Sequence, residues 1–245
     1  TFDDDDDKMQ RRITKRGSMI DTYTAELSTC PEIAASYVPP IVRAKGRSFQ
    51  FANERRRVVI VFLSLPGLAK VSVTSEGVNE AQLNDVYSAL RSVLAKFEGE
   101  MRDFLFEDKG CTLIACFGIN RITEVDALRG VLFALEASSA CSSLSDPCKI
   151  GISMGQCFTG ICGHPSRNDF VVMGAETNMA ARLMGKAALG KILVSERVYN
   201  ATQSYVGYDM SNPMEVKGKD GTFRALCPFG RKAGAVRHKN QNELD

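Results

Sequence analysis

Between residues 57 and 230 the chain alternates short β-branched runs with longer stretches in which apolar residues recur every three or four positions. Arg57 to Leu65 (RVVIVFLSL) is apolar enough for a buried strand, and Pro66-Gly67 stops it. Leu83, Val86, Leu90, Val93, Leu94 and Phe97 then mark one face of a long helix. Met101 to Phe106 and Cys111 to Phe117 form a hairpin around the polar turn Glu107-Asp108-Lys109-Gly110. Leu128, Val131, Leu132 and Leu135 repeat the helical spacing in a segment that begins near Thr123. Strands are predicted at 149–154, 156–162 and 169–173, followed by a helix that carries Asn178 and Arg182. Ile192 to Val194 is another strand, Ser195 is placed to cap a short helix reaching about Thr202, and Met214–Val216 and Phe223–Cys227 close the pattern. The order β-α-β-β-α-β with additions argues for an α+β, ferredoxin-like sandwich in which helices cover a sheet.

The flanks differ in character. Residues 1–17 are charged and include five consecutive aspartates, which read equally as a cleavage tag or a natural acidic linker. Residues 18–56 form a lead-in arm containing Pro39-Pro40, residues 57–230 the folded domain, and residues 231–245 a polar tail; both ends are expected to be flexible. A first residue other than methionine suggests an excerpt of a longer protein.

Composition narrows the partners. With 44% hydrophobic and 24% charged residues the balance is that of a globular protein, and a formal net charge of +2 announces neither nucleic acid nor an acidic membrane surface. The longest apolar run, Val58 to Leu63, falls far short of the ~20 residues a bilayer span needs, so no membrane span is expected. Cys111, Cys116, Cys157 and Cys162 sit inside strand-like runs without the close pairs of a metal site, which favours buried free thiols in a reducing, cytoplasmic setting. Only His164 and His238 are present, so a histidine-rich metal site is excluded; His164, before Pro165, reads as a surface residue.

Two glycine patterns carry little. Gly185 to Ile192 (GKAALGKI) nearly spells a phosphate loop, but Ile192 stands where a magnesium-binding hydroxyl is required, and the run leads from a helix into a strand rather than the reverse. Gly155, Gly160 and Gly163 mark a hairpin or close packing. Asn178 and Arg182 are more informative. Four residues apart on a helix, they project from one face. The pair is either a satisfied buried amide beside an arginine that snorkels to water, or a convergent polar site to which Gly174, Ala180 and Ala181 leave room.

Four stretches together resemble the class III nucleotidyl cyclase domain, and most of all the second cyclase half of soluble adenylyl cyclases. They are FANERRRVVIVFLSL (51–65), FEDKGCTLIACFG (106–118), GISMGQCFTGICGHPSRNDFVVMGAETNMAARLM (151–184) and VKGKDG (216–221), and the likeness covers about Phe49 to Gly230. It implies that two halves pair head to tail as a pseudo-heterodimer and share a site that converts ATP to cyclic AMP and pyrophosphate. By the same likeness Asn178 orients the ribose, and Arg182 meets charge developing on the α-phosphoryl group. Lys109 reads adenine, Val171 and Val172 border the nucleotide, and Lys217 holds the triphosphate end.

Two departures qualify what the likeness implies. Related domains carry Asp, Thr or Cys at the position of Val171, and valine offers the base no hydrogen bond. First-half domains hold two magnesium (or manganese) ions with a pair of aspartates, where this chain has Ser64 and Cys111. The metal is therefore expected from a partner cyclase domain in the same or another chain, and this chain alone is expected to be inactive or nearly so. Two alternatives stay open: a degenerate cyclase-fold module that only binds or dimerises, and a guanylyl cyclase half.

Overall fold

The structure is a computed structural model that describes residues 54–71, 80–107, 110–144, 147–164, 167–210, 214–215, 222–223 and 226–232. The sequence-predicted N-terminal tail, most of the lead-in arm and most of the C-terminal tail lie outside these residues, although β10 carries the folded part on to Arg231. The chain forms two compact units. One holds Arg55–Phe158 and the described residues from Val172 onward; the other holds, among the described residues, Glu54 and Thr159–Val171.

Strand β1 (Glu54–Leu65) leads into a short 3-10 turn, Pro66–Val71. Helix α1 (Glu80–Lys96) follows, then the hairpin of β2 (Glu100–Glu107) and β3 (Gly110–Phe117). Helix α2 (Asp126–Leu144) precedes β4 (Lys149–His164) and β5 (Arg167–Met173). Helix α3 (Ala175–Lys186), β6 (Ile192–Val194) and helix α4 (Glu196–Thr202) come next. The described chain closes with β7 (Val206–Met210), β8 (Met214–Glu215), β9 (Thr222–Phe223) and β10 (Leu226–Arg231). The main sheet runs β2-β3-β1-β4-β6-β10-β7, with β5 paired to β4, and β8 pairs separately with β9. β1 and β3 are antiparallel and β4 and β6 parallel, so this is the α+β architecture that the order of elements predicts.

Strand alternation divides the larger unit into two apolar layers. Val59, Val61, Leu63 and Leu65 of β1, with Cys111, Leu113, Ala115 and Phe117 of β3, face a core closed by α1 and α2. The α1 stripe matches its spacing: Val86, Leu90 and Leu94 are buried, with Leu83, Val93 and Phe97 packed at the margin. The α2 stripe matches only at Val131. Its buried face is Ala127, Gly130, Val131, Phe133, Ala134, Ala137 and Cys141, while Leu128 and Leu135 sit at the edge. Small residues win this face because the helix lies close to the sheet: a β-carbon on Gly130 would come within 3.0 Å of Val59 Cγ1. Phe133 fills the remaining space against Phe117, with ring centroids 5.8 Å apart. On the opposite layer Met179, Leu183 and Ala187 pack with Leu193 of β6 and Cys227 of β10.

Three expectations need correction. The strands predicted at 149–154 and 156–162 are one continuous β4, because Gly155 makes room for the side chains of Glu176 and Arg197 instead of turning the chain. The strand β7 escaped prediction because Gly207 and Asp209 dilute its apolar signal; Gly207 lies against the exposed ring of Phe229, which a β-carbon would push aside. Cys111, Cys116 and Cys157 are buried free thiols as expected, but Cys162, near the hairpin end of β4, is exposed. The side chain of His164 lies outside the described residues. Among the described residues no helix is long and apolar enough to cross a membrane.

Candidate functional site

Helix α3 begins where β5 ends. Gly174 is its N-cap, extended and without a side-chain cap, and a β-carbon there would press on Cys157 Sγ at 3.0 Å and on the Gln156 carbonyl at 3.2 Å. The helix settles on β4 through backbone contact: at Gly151 a β-carbon would collide with the Ala180 carbonyl oxygen and the Met184 amide. Met179, Ala180 and Leu183 form its buried stripe. Ala180, fully buried, is there to let helix and sheet approach, and not to leave room beside the polar pair as its sequence position suggested.

Asn178 and Arg182 lie on the other side of the helix, one turn apart, and both are exposed. Neither side chain makes a hydrogen bond or ion pair with another described residue. The reading of Asn178 as a satisfied buried amide is thereby removed. What remains is a neutral amide and a fixed cation presented together by a helix whose opposite face is anchored in the sheet. Val171 and Val172, at the end of β5, are half-buried. Lys109 and Lys217 lie outside the described residues, so the sequence-predicted set is described only at Asn178, Arg182, Val171 and Val172.

Ser64 and Cys111 do not make a donor set for a divalent cation. Leu65 pairs with Cys111 and Ser64 with Thr112, so Ser64 and Cys111 face opposite sides of the sheet. Cys111 is fully buried in the core, and that burial pushes its thiol up to about 11, which keeps it protonated and apolar in character. Among the described residues no cluster of three or more His, Cys, Asp or Glu side chains is placed to hold a metal ion. The near-match to a phosphate loop at 185–192 also lacks its geometry, because Gly190 turns at φ +72° into β6 and not into a helix.

The sequence reading passed over Glu176. An acid in the first turn of a helix is ordinary, yet this carboxylate accepts hydrogen bonds from Ser153 Oγ of β4 and from Arg197 Nη1 of α4, the latter at 3.1 Å. Its charge adds to burial in pushing the Cys157 thiol up to about 11. The available signal was Ser153, a hydroxyl on the face of β4 where only an apolar partner would otherwise be required.

Residues 51–226 match the family described as the adenylate and guanylate cyclase catalytic domain. Over 137 residues the chain is 32% identical to human adenylate cyclase type 10, and over 139 residues 31% identical to the mouse protein; each match takes in 55% of this chain. The chain spans only 8% of the length of those curated relatives. Among solved structures, the adenylyl cyclase CyaB from P. aeruginosa superposes with a TM-score of 0.67 at 19% identity, covering 75% of this chain and 99% of that one. The guanylate cyclase domain of RhGC from Catenaria anguillulae, solved in complex with GTP, gives 0.64 at 20% identity, covering 73% of this chain and all of that one. At these identities the structural likeness speaks to the fold.

Proposed function

The chain belongs to the adenylate and guanylate cyclase catalytic domain family, and from that premise we propose that it is the nucleotide-reading, transition-state-stabilising half of an adenylyl cyclase. The observation that carries this reading is the exposed pair Asn178 and Arg182, one helical turn apart and without partners among the described residues, on a helix fixed to the sheet along its other face. The likeness to adenylate cyclase type 10 supports ATP as substrate.

In the proposed reaction the ribose 3′-oxygen attacks the α-phosphorus in line, the bond to the bridging oxygen of pyrophosphate breaks, and the 3′-hydroxyl proton leaves to solvent or base. Asn178 holds the ribose so that the attacking oxygen is aligned. Arg182 faces the α-phosphoryl oxygens as charge grows there, and a preorganised guanidinium at that point is worth about 10³ to 10⁵ in rate. Lys109 donates to adenine, Val171 and Val172 pack beside the nucleotide, and Lys217 neutralises the triphosphate end. By this proposal a partner cyclase domain would hold magnesium or manganese, which would make the 3′-hydroxyl more acidic and offset phosphate charge; Ser64 and Cys111 are unsuited to that task here. Action in the cytoplasm, where ATP is available, is part of the same proposal.

Mixing the purified chain with a metal-bearing cyclase half and measuring cyclic AMP tests this reading. Activity that appears only in the mixture supports it, and activity unaffected by Asn178→Ala and Arg182→Ala rejects it. A second reading, a module that binds nucleotide without chemistry, is favoured by the burial of Cys111 and by Val171; nucleotide binding without turnover beside a competent partner would select it. A guanylyl cyclase half would show GTP outcompeting ATP.

A further inference from the structure

Helix α3 carries the exposed Asn178 and Arg182 on one side and an apolar stripe on the other, but that stripe begins with a charge. Glu176, Ala180, Leu183 and Ala187 succeed one another at three- and four-residue steps along the sheet side of the helix. Glu176 is the only one of these that is polar. Its side chain is 18% exposed, and both carboxylate oxygens are engaged: one accepts from Ser153 Oγ, whose residue is fully buried, and the other from Arg197 Nη1 at 3.1 Å. Strand β4, helix α3 and helix α4 therefore meet at one carboxylate.

The surroundings are shaped to admit it. At Gly155 a β-carbon would sit 2.8 Å from Glu176 Cγ, from Glu176 Oε1 and from Arg197 Nη1 alike. Any side chain at Gly155 would displace the carboxylate or the guanidinium. Gly174, the N-cap, supplies no side-chain bond to the first turn, so α3 has no cap of the usual kind at this end. Sliding contacts such as Ala180 against Gly151 fix how closely the helix approaches the sheet but resist rolling poorly, because they are non-directional. A carboxylate held from two directions is directional and resists rolling about the helix axis.

We propose that Glu176 is a positioning residue: clamped by Ser153 and Arg197, it sets the rotation of the first turn of α3 and so aims Asn178, two residues further on, at the nucleotide. This rests on the role given to Asn178 under the proposed function. Asn178 follows the clamp directly, whereas Arg182 lies a further turn along, where Met179 and Leu183 already anchor the helix in its apolar cluster. Loss of the clamp therefore acts chiefly through Asn178. Misplacement of an orienting group by about 1 Å lowers rate by up to ~10²-fold while leaving ground-state binding nearly intact.

The test is a double-mutant cycle in the two-half cyclase, using the full chain with a metal-bearing partner. Glu176→Ala is expected to lower kcat about 10-fold or more with KM within about 2-fold, and Glu176→Gln, which retains a partner for Ser153, to lower it less. In Glu176→Ala/Asn178→Ala the loss should equal that of Asn178→Ala alone, because a clamp that acts through Asn178 has nothing left to aim; a purely structural role would add its own loss. Amide hydrogen exchange on the chain alone gives an independent reading. Glu176→Ala should speed exchange at Asn178, Met179 and Ala180 about 5-fold or more while β1 and β3 are unchanged. Additive losses in the cycle, or unaltered exchange in the first turn, overturn the clamp. Indifference of turnover to Asn178→Ala instead sinks the role of Asn178 itself and leaves the exchange result to judge the clamp.

Discussion

Gly151 of β4 and Ala180 of α3 touch through their backbones: a β-carbon built on the glycine would run into the alanine carbonyl oxygen and the neighbouring Met184 amide. Neither atom belongs to a flexible side chain, so Gly151→Ala must lift the helix from the sheet. Overpacking of this kind destabilises by about 1–3 kcal/mol, which for a chain of this size lowers Tm by roughly 3–10 °C. Gly185, in the same helix, has nothing within 4 Å of a built β-carbon. Gly185→Ala is expected to leave Tm unchanged or raise it slightly, by removing backbone freedom from the unfolded chain. Thermal unfolding of the two variants checks the contrast, and equal effects would show that α3 is not seated on Gly151.

The legible parts of the fold were those where one residue type decides. The periodic leucines and valines of α1 and the β-branched run of β1 have no good alternative use, and both lie where their spacing puts them. The α2 face was misread because its leucines are a stronger hydrophobic signal than Gly130, Ala134 and Ala137, although close approach to the sheet selects the small residues. Gly155 looked like a break in β4 because its function depends on Glu176 and Arg197, which are distant in sequence. The spacing of Asn178 and Arg182 was readable as one helix face. Their exposure was not, since it depends on Gly151 and Leu193 occupying the other side.

Arg182 provides a separation of stability from chemistry. Its side chain is exposed and has no partner among the described residues, so Arg182→Ala should change unfolding free energy by no more than about 0.5 kcal/mol. Turnover in the two-half cyclase should fall about 10³-fold, with binding of a non-cyclisable ATP analogue kept within about 3-fold. Arg182→Lys should recover little of the loss, because an ammonium lacks the planar fork that meets two phosphoryl oxygens at once. Kinetics with calorimetric binding checks each expectation. A parallel loss of binding and turnover would assign Arg182 to ground-state affinity instead.

The buried thiols predict a pH response with a definite sign. Burial raises Cys111 to about 11, Cys116 to about 12 and Cys157 to about 11, against an ordinary value of 9.0. In the unfolded chain these thiols release protons from about pH 9, while the folded chain still holds them. The protonated, folded form is therefore favoured below pH 9, and that advantage is lost progressively between about pH 9 and pH 11–12, at no more than about 1.4 kcal/mol per pH unit for each thiol. Urea unfolding at pH 8, 9 and 10 should show a midpoint that falls mainly over the last interval. At pH 8 iodoacetamide should modify Cys162, which is exposed, well before Cys111, Cys116 or Cys157. Peptide mapping of the labelled chain reads the order directly.

Asp126 is a buried acid whose task is local. Its residue is 4% exposed, and its carboxylate accepts the Thr123 amide at 2.7 Å and the Thr123 hydroxyl at 2.6 Å, closing the entry to α2. Arg129 Nη1, at 3.5 Å, adds a cation one turn along, and the same guanidinium reaches Glu98 at 2.8 Å. Asp126→Ala leaves the Thr123 amide without that partner and removes one of the two acids beside Arg129. The expected loss is about 1–2 kcal/mol, the range measured for helix entry groups, or roughly 2–8 °C in Tm. Asp126→Asn keeps one acceptor oxygen for Thr123 and should lose less. Because α2 packs over Phe117 through Phe133, the loosened entry should also speed amide exchange in the first turn of α2. Faster exchange confined to α3 instead would mean that Asp126 supports a different part of the sheet.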